Sequence, residues 1–124
     1  MSGAVTHGAH VPPWGEPWTA WTDWSNRLPN LLELNLRCEQ VDAGRAELSL
    51  AESPWTLNPN GSVNGGLVIA AADQAMGIVA LTAMNPGALP ATATITASYL
   101  RPAFPPRTFH AAVSQGGRRL VFVT

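Results

Sequence analysis

Apolar and polar positions alternate over residues 33–51. Leu34, Leu36 and Cys38 fall on one face, Ala46, Leu48 and Leu50 repeat the pattern, and Asp42-Ala43-Gly44 between them has turn chemistry, which predicts an antiparallel strand pair. A loop with Pro54, Pro59 and two glycines follows. From 66 to about 84 the period changes: small and apolar residues recur at helical spacing for about five turns until Asn85-Pro86-Gly87 stops them, and this is the one long helix predicted. "TATITASYLRP" then alternates strictly, with Thr92, Thr94, Thr96 and Ser98 on one face and Ala93, Ile95, Ala97 and Tyr99 on the other. Phe109, Ala111 and Val113 alternate again, Gly116-Gly117 turns the chain, and Leu120 and Phe122 open a further strand. Two strands, a long helix and at least three more strands predict an α+β fold, with an antiparallel sheet wrapped on the helix rather than a doubly wound parallel sheet.

Upstream, residues 1 to about 28 are rich in Pro, Gly, His and Trp and are expected to be a flexible or partly helical lead. Trp14, Trp18, Trp21 and Trp24 are spaced by about one helical turn, and the last three suit the apolar stripe of a short helix. His7 and His10 in this lead have no third ligand nearby in sequence, so a solvated tail is the plainer reading than a metal site. At the other end, Val121-Phe122-Val123-Thr124 breaks off in mid-strand, and the expectation is that the natural chain continues or that another chain covers the edge.

Length then sets the scale: 124 residues make one ordinary domain, placed over 29–124. Seven arginines and no lysine against eight acids give a net charge of −1. The arginines are scattered, so no electrostatic footprint for nucleic acid or for a membrane surface is expected. The single cysteine, Cys38, excludes an internal disulfide and reads as a small buried hydrophobe, in keeping with a reducing, cytoplasmic location. No secretory signal pattern opens the chain, and no continuous apolar run approaches the roughly 18 to 20 residues of a membrane span.

The candidate chemistry lies in "NPNGSVNGGLVIAAADQAMG", residues 58–77. Gly65 and Gly66 sit where the loop enters the helix, so their N–H groups are among those without an intrahelical partner, at the positive end of the helix dipole. Such N–H groups suit a carbonyl oxygen becoming an oxyanion, and glycine lets a substrate come close; the plainer reading is a tight turn into the helix. Asp73 is flanked by Ala70, Ala71, Ala72, Ala75 and Gly77, where loss of hydration disfavours its charged form and makes it a better base or nucleophile. A solvated helix-surface aspartate is the alternative. Gly65 and Asp73 are separated by about 12 Å along a helix that rises 1.5 Å per residue, whereas a carboxylate must come within about 3 to 3.5 Å of the carbonyl it acts on. If both act, Asp73 of one chain must meet Gly65 of a second, and a two-fold dimer then makes two such sites.

These residues resemble the hotdog-fold acyl-CoA thioesterases of the phenylacetate-degradation type, related to one class of 4-hydroxybenzoyl-CoA thioesterase. That family carries Asn-Pro-x-Gly-x-x-His-Gly-Gly with an acidic residue nine positions after the His. Asn58-Pro59-Asn60-Gly61-Ser62-Val63-Asn64-Gly65-Gly66 fits except at Asn64, Asp73 has the expected spacing, and "TATITASYLRPA" is similar to the strand after the helix. The resemblance spans residues 31–124. It implies a hotdog fold, an acyl-CoA substrate whose CoA is the only cofactor-like group, and a homodimer or dimer of dimers. It further implies Asp73 as general base or nucleophile, the Gly65 N–H on the thioester carbonyl, Asn58 orienting water or the carboxylate across the dimer, and Thr92 as a supporting hydroxyl. Asn64 stands where the family has His; it donates and accepts hydrogen bonds in a similar place.

Around this centre, Gly66, Met76 and Gly77 are expected to shape the substrate site, and Ile69 and the alanines leave room for a hydrophobic acyl group. Arg101, Arg118 and Arg119 are candidates for CoA phosphates, because Arg forks match phosphate oxygens, with plain surface solvation as the alternative. His110 reads as structural, and Thr92 taken alone is an ordinary β-branched strand residue. Two rival functions stay open: a non-catalytic acyl-CoA-binding hotdog protein, and a hotdog dehydratase, which would want a His beside the carboxylate where Asn64 stands.

Overall fold

The structure, a computed structural model, describes residues 11–51, 57–92, 94–98, 101, 103–116 and 121–123. The tryptophan spacing produces α1 (Trp18–Ser25), in which Trp21 and Trp24 are buried. Ring centroids are 5.6 Å apart for Trp18 and Trp21 and 5.9 Å for Trp21 and Trp24, the second pair edge to face. A second helix, α2 (Pro29–Glu33), starts with proline at its first turn and buries Leu31. Asn35, at φ 59, then turns the chain into the sheet; asparagine tolerates this left-handed conformation better than most residues.

The predicted pair is present as β1 (Leu36–Asp42) and β2 (Arg45–Leu50), joined by a two-residue turn with Gly44 at φ 72. A register shift between Cys38 and Gln40 resets the alternation, so Val41 is buried with Leu36 and Cys38. The long helix is α3 (Gly65–Thr82). β3 (Arg107–Gly116) pairs antiparallel with β2, and β4 (Val121–Val123) with β3, giving the order β1-β2-β3-β4. Ala46, Leu48, Leu50 and Ala111 from the sheet and Leu67, Ala71, Ala75, Ile78 and Val79 from α3 form one buried cluster, which also holds Trp21, Trp24 and Leu31. Each fully buried leucine there contributes on the order of 2 kcal/mol.

Three expectations need correction. Of the alternating stretch after the helix, the described residues 92 and 94–98 belong to none of the four strands and lie exposed outside the sheet, with Ile95 36% exposed. Alternation fixes which side chains share a face, but a strand also needs a hydrogen-bonded neighbour, and the described sheet ends elsewhere. The short helix α2 has no counterpart in the predicted element order. Third, α3 does have the length and mean hydropathy, 1.5, of a membrane span. In this fold one face of it is core, with Ala71, Ala75 and Val79 buried beneath the sheet.

The outer edge of β1 is closed by a side chain. Asn26, just past α1, donates from Nδ2 to Cys38 O at 2.9 Å and accepts at Oδ1 from Cys38 N at 2.7 Å, replacing one rung of a neighbouring strand. Replacing it with alanine leaves both backbone groups to find water, and an unfolding free energy lower by about 2 kcal/mol is expected from denaturant titration. An unchanged midpoint and slope would show that α1 packing alone holds this edge. Burial pushes the Cys38 thiol up to about 11, so at neutral pH it is a protonated packing group. At the far end of the hairpin, Gly44 donates its N–H to Thr82 Oγ1 at 2.8 Å and so anchors the turn to the last residue of α3.

Candidate active site

The site is built from one loop, one helix face and one residue of the segment after the helix. Asn58-Pro59-Asn60-Gly61 makes a turn closed by the Gly61 N–H on Asn58 O at 2.9 Å, with proline at the second position and Gly61 at φ 83. Ser62, buried, donates its backbone N–H and its hydroxyl to Asn60 Oδ1 at 3.0 and 2.7 Å. The Asn58 N–H meets Ser62 O at 2.7 Å, and Leu57 and Val63 form an isolated bridge. The turn therefore folds back on itself and delivers Asn64 to the start of α3.

Asn64 is the N-cap of α3, with ψ 130, and its Oδ1 accepts from the Gly66 N–H at 2.9 Å. The Gly66 donor is thus occupied within the chain by the cap, and Gly65 is the first helical residue. Asn64 Nδ2 lies 3.3 Å from Asn58 Oδ1, joining two predicted site residues six positions apart.

Asp73 lies two residues from both Ala71 and Ala75, and two positions on a helix turn it about 200° away from their buried stripe. It is half-exposed, on the face away from the sheet, with Ile69, Met76 and Gly77 close by on that face. The apolar side chains beside it on that face are themselves half-exposed. Thr92 Oγ1 donates to Asp73 Oδ1 at 2.7 Å, so the two residues linked by the resemblance are in contact. A Cβ at Gly77 would meet nothing within 4 Å, whereas Met76 packs partly against the core.

The structure thus brings together Asn58, Asn64, Gly65 and Gly66 at one end of α3, and Asp73 with Thr92 about 12 Å further along it. Arg101 is exposed on the stretch before β3, and no described contact ties it to either group. Arg118 and Arg119, like His7 and His10, lie outside the described residues. His110 sits across from Glu47 on the outer face of the sheet, Nδ1 to Oε1 3.5 Å. A depression of about 500 Å³ on that face, lined by Asp42, Arg45, Glu47 and His110 among others, lies across the sheet from α3 and has no part in this site. Among the described residues no cluster of His, Cys, Asp and Glu is placed to hold a metal. Ser62 and Asn60 are hydrogen-bonded neighbours of this loop that the sequence reading did not single out; their signal was the Asn-Pro-Asn-Gly turn.

A family model described as the thioesterase superfamily matches residues 60–124. A thioesterase family protein from Silicibacter pomeroyi is 28% identical, with TM-score 0.75 over 82% of this chain and 75% of that one. A phenylacetic acid degradation-related protein from Ralstonia eutropha JMP134 is also 28% identical, with TM-score 0.66 over 75% and 73%. A hypothetical thioesterase from Streptococcus pneumoniae TIGR4, solved with coenzyme A, is 18% identical, with TM-score 0.60 over 72% and 70%. Comparison with curated protein sequences gave no match. The antiparallel sheet with its long central helix is the hotdog fold.

Proposed function

The chain belongs to the thioesterase superfamily, and we propose that it hydrolyses the thioester of a hydrophobic acyl- or aryl-CoA to the free acid and CoA. The observation that carries this reading is the hydrogen-bonded pair of Asp73 and Thr92 on an otherwise apolar helix face. Occupation of a superfamily relative by coenzyme A supports the substrate class.

In this mechanism Asp73, oriented by the Thr92 hydroxyl, takes a proton from water or attacks the carbonyl carbon itself. The carbonyl π electrons move to oxygen, and the oxyanion rests against the Gly65 N–H at the positive end of α3. Collapse of the tetrahedral species breaks the C–S bond and releases CoA thiolate; on the direct-attack route water then hydrolyses the acyl-aspartate. Because α3 is one uninterrupted helix, Gly65 and Asp73 of a single chain stay about 12 Å apart and cannot act on one carbon. The site is therefore composed across a two-fold homodimer, Gly65 with Asn58 from one chain and Asp73 with Thr92 from the other. The half-exposed apolar face of α3, with Ile69, Met76 and the open space at Gly77, then walls the acyl group.

Release of free thiol from a panel of short, long and aryl acyl-CoAs tests this reading. Turnover of at least one class is expected; saturable acyl-CoA binding with no turnover would point instead to a binding protein.

A further inference from the structure

Gly77 stands in the interior of α3, where a glycine weakens a helix relative to alanine. The described fold gives no reason for it. Its backbone is not left-handed, unlike that of Gly44, Gly61 and Gly87, and a Cβ placed on it meets nothing within 4 Å among the described residues. Gly66 differs, because a Cβ there would crowd Asn64 Oδ1 at 3.2 Å, so the cap itself excludes a side chain. Elsewhere α3 fills its small positions with alanine, at 70, 71, 72, 75 and 80. The helix therefore gives up stability at one position that its own packing does not explain, and the explanation lies in what approaches this face from outside.

Gly77 follows Asp73 by four residues, which places it on the same face about 6 Å further along the axis. Side chains on a helix lean towards its N-terminus, so one at 77 would lie back over the turn that carries the Asp73 carboxylate. Without it a bay stays open beside that carboxylate. Asp73 must come within about 3 to 3.5 Å of the carbonyl carbon it acts on, so the bay borders the two groups bonded to that carbon, the sulfur and C2 of the acyl group. Met76-Gly77-Ile78-Val79-Ala80-Leu81 carries no polar side chain, so the amides of the pantetheine arm would find no side-chain partner there. The acyl side is what this end of the helix suits, and the unbranched thioether of Met76 adapts to its shape. We infer that Gly77 is a specificity-determining residue whose missing side chain admits an alkyl branch on C2, so that the preferred substrates are acyl-CoAs branched at the carbon next to the thioester carbonyl. This rests on the thioesterase reading and narrows its substrate class.

The probes are 2-methylpropanoyl-CoA and its straight-chain isomer butanoyl-CoA, which differ in branching at C2 and not in composition. Wild type should favour the branched isomer. Gly77→Ala puts one methyl group into the bay, and the ratio of kcat/KM for the branched over the straight isomer should fall at least about 10-fold, with a further fall in Gly77→Val. The melting temperature of Gly77→Ala should rise by about 2 to 4 degrees, because alanine replaces an interior helix glycine without a clash. An unchanged ratio, or equal losses on both isomers, would overturn the assignment. So would a lower melting temperature or a shift from dimer to monomer in Gly77→Ala, since the glycine would then serve the fold or the close approach of a second helix. If wild type hydrolyses neither isomer, the bay is read from binding instead: by calorimetry, the affinity ratio of branched over straight should fall at least about 10-fold in Gly77→Ala. An unchanged affinity ratio, or no binding of either isomer, refutes the bay independently of turnover.

Discussion

Hydrolysis of the best acyl-CoA should fall at least about 100-fold in kcat when Asp73 is replaced by asparagine or alanine, the scale expected for losing a general base or nucleophile. Asparagine is the sharper replacement, because its Oδ1 still accepts the Thr92 hydroxyl and only the basic charge is lost. The position is half-exposed on the helix face away from the sheet, so both variants should keep the wild-type unfolding free energy to within about 0.5 kcal/mol. A loss of activity at unchanged stability assigns the effect to chemistry. Retention of a third or more of the wild-type kcat by Asp73→Asn would remove this carboxylate from the mechanism.

The second large effect is expected at the other end of the helix. Gly65 is the first residue of α3, the place where proline is best tolerated, and Asn64 before it already has ψ 130, the extended conformation that precedes proline. Gly65→Pro therefore removes one N–H while leaving the helix start intact. Loss of a single oxyanion donor lowers kcat by about 100- to 1000-fold. Gly65→Ala is the control, since it keeps the N–H and adds one methyl group; its smaller loss measures crowding alone. Equal losses in the two variants would mean that the glycine is needed for space and that its N–H polarises nothing.

How far these arguments could be taken from sequence differs from element to element. The hairpin and α3 were legible because each has a sustained period, two for Leu36, Cys38, Leu48 and Leu50, and close to four for Leu67, Ala71, Ala75 and Val79. The stretch around Thr94, Ile95 and Thr96 alternates just as well yet pairs with no described strand, because a periodic pattern names faces and not neighbours. Helix α2 is a little over one turn long, too short to show a period, and only Pro29 at its start marks it. The offset at Cys38 and Gln40 was hidden for a related reason: a bulge changes the phase of alternation without altering composition.

Within the site, the turn from Asn58 to Gly61 carried its own signal in proline and glycine, whereas the capping role of Asn64 was not assigned from the sequence and emerges from its bond with the Gly66 N–H. The contact of Thr92 with Asp73 was not readable from spacing, since nineteen residues with no intervening regular element beyond α3 leave many registers open; family resemblance supplied it. Helix rise, by contrast, argued from residue numbers alone that one chain cannot bring Gly65 and Asp73 to one carbon, and the continuous α3 keeps that argument intact.

Mixing the two inactive variants tests the two-chain site most directly. If each site takes Asp73 from one subunit and Gly65 from the other, a heterodimer of Asp73→Asn with Gly65→Pro contains one doubly altered site and one wild-type site. After subunit exchange at equal concentrations, half of the dimers are mixed, so thiol release should rise from near zero to about a quarter of the wild-type rate. Formation of mixed dimers, verified by native mass spectrometry, with activity no higher than the sum of the two variants alone would contradict a site shared between chains.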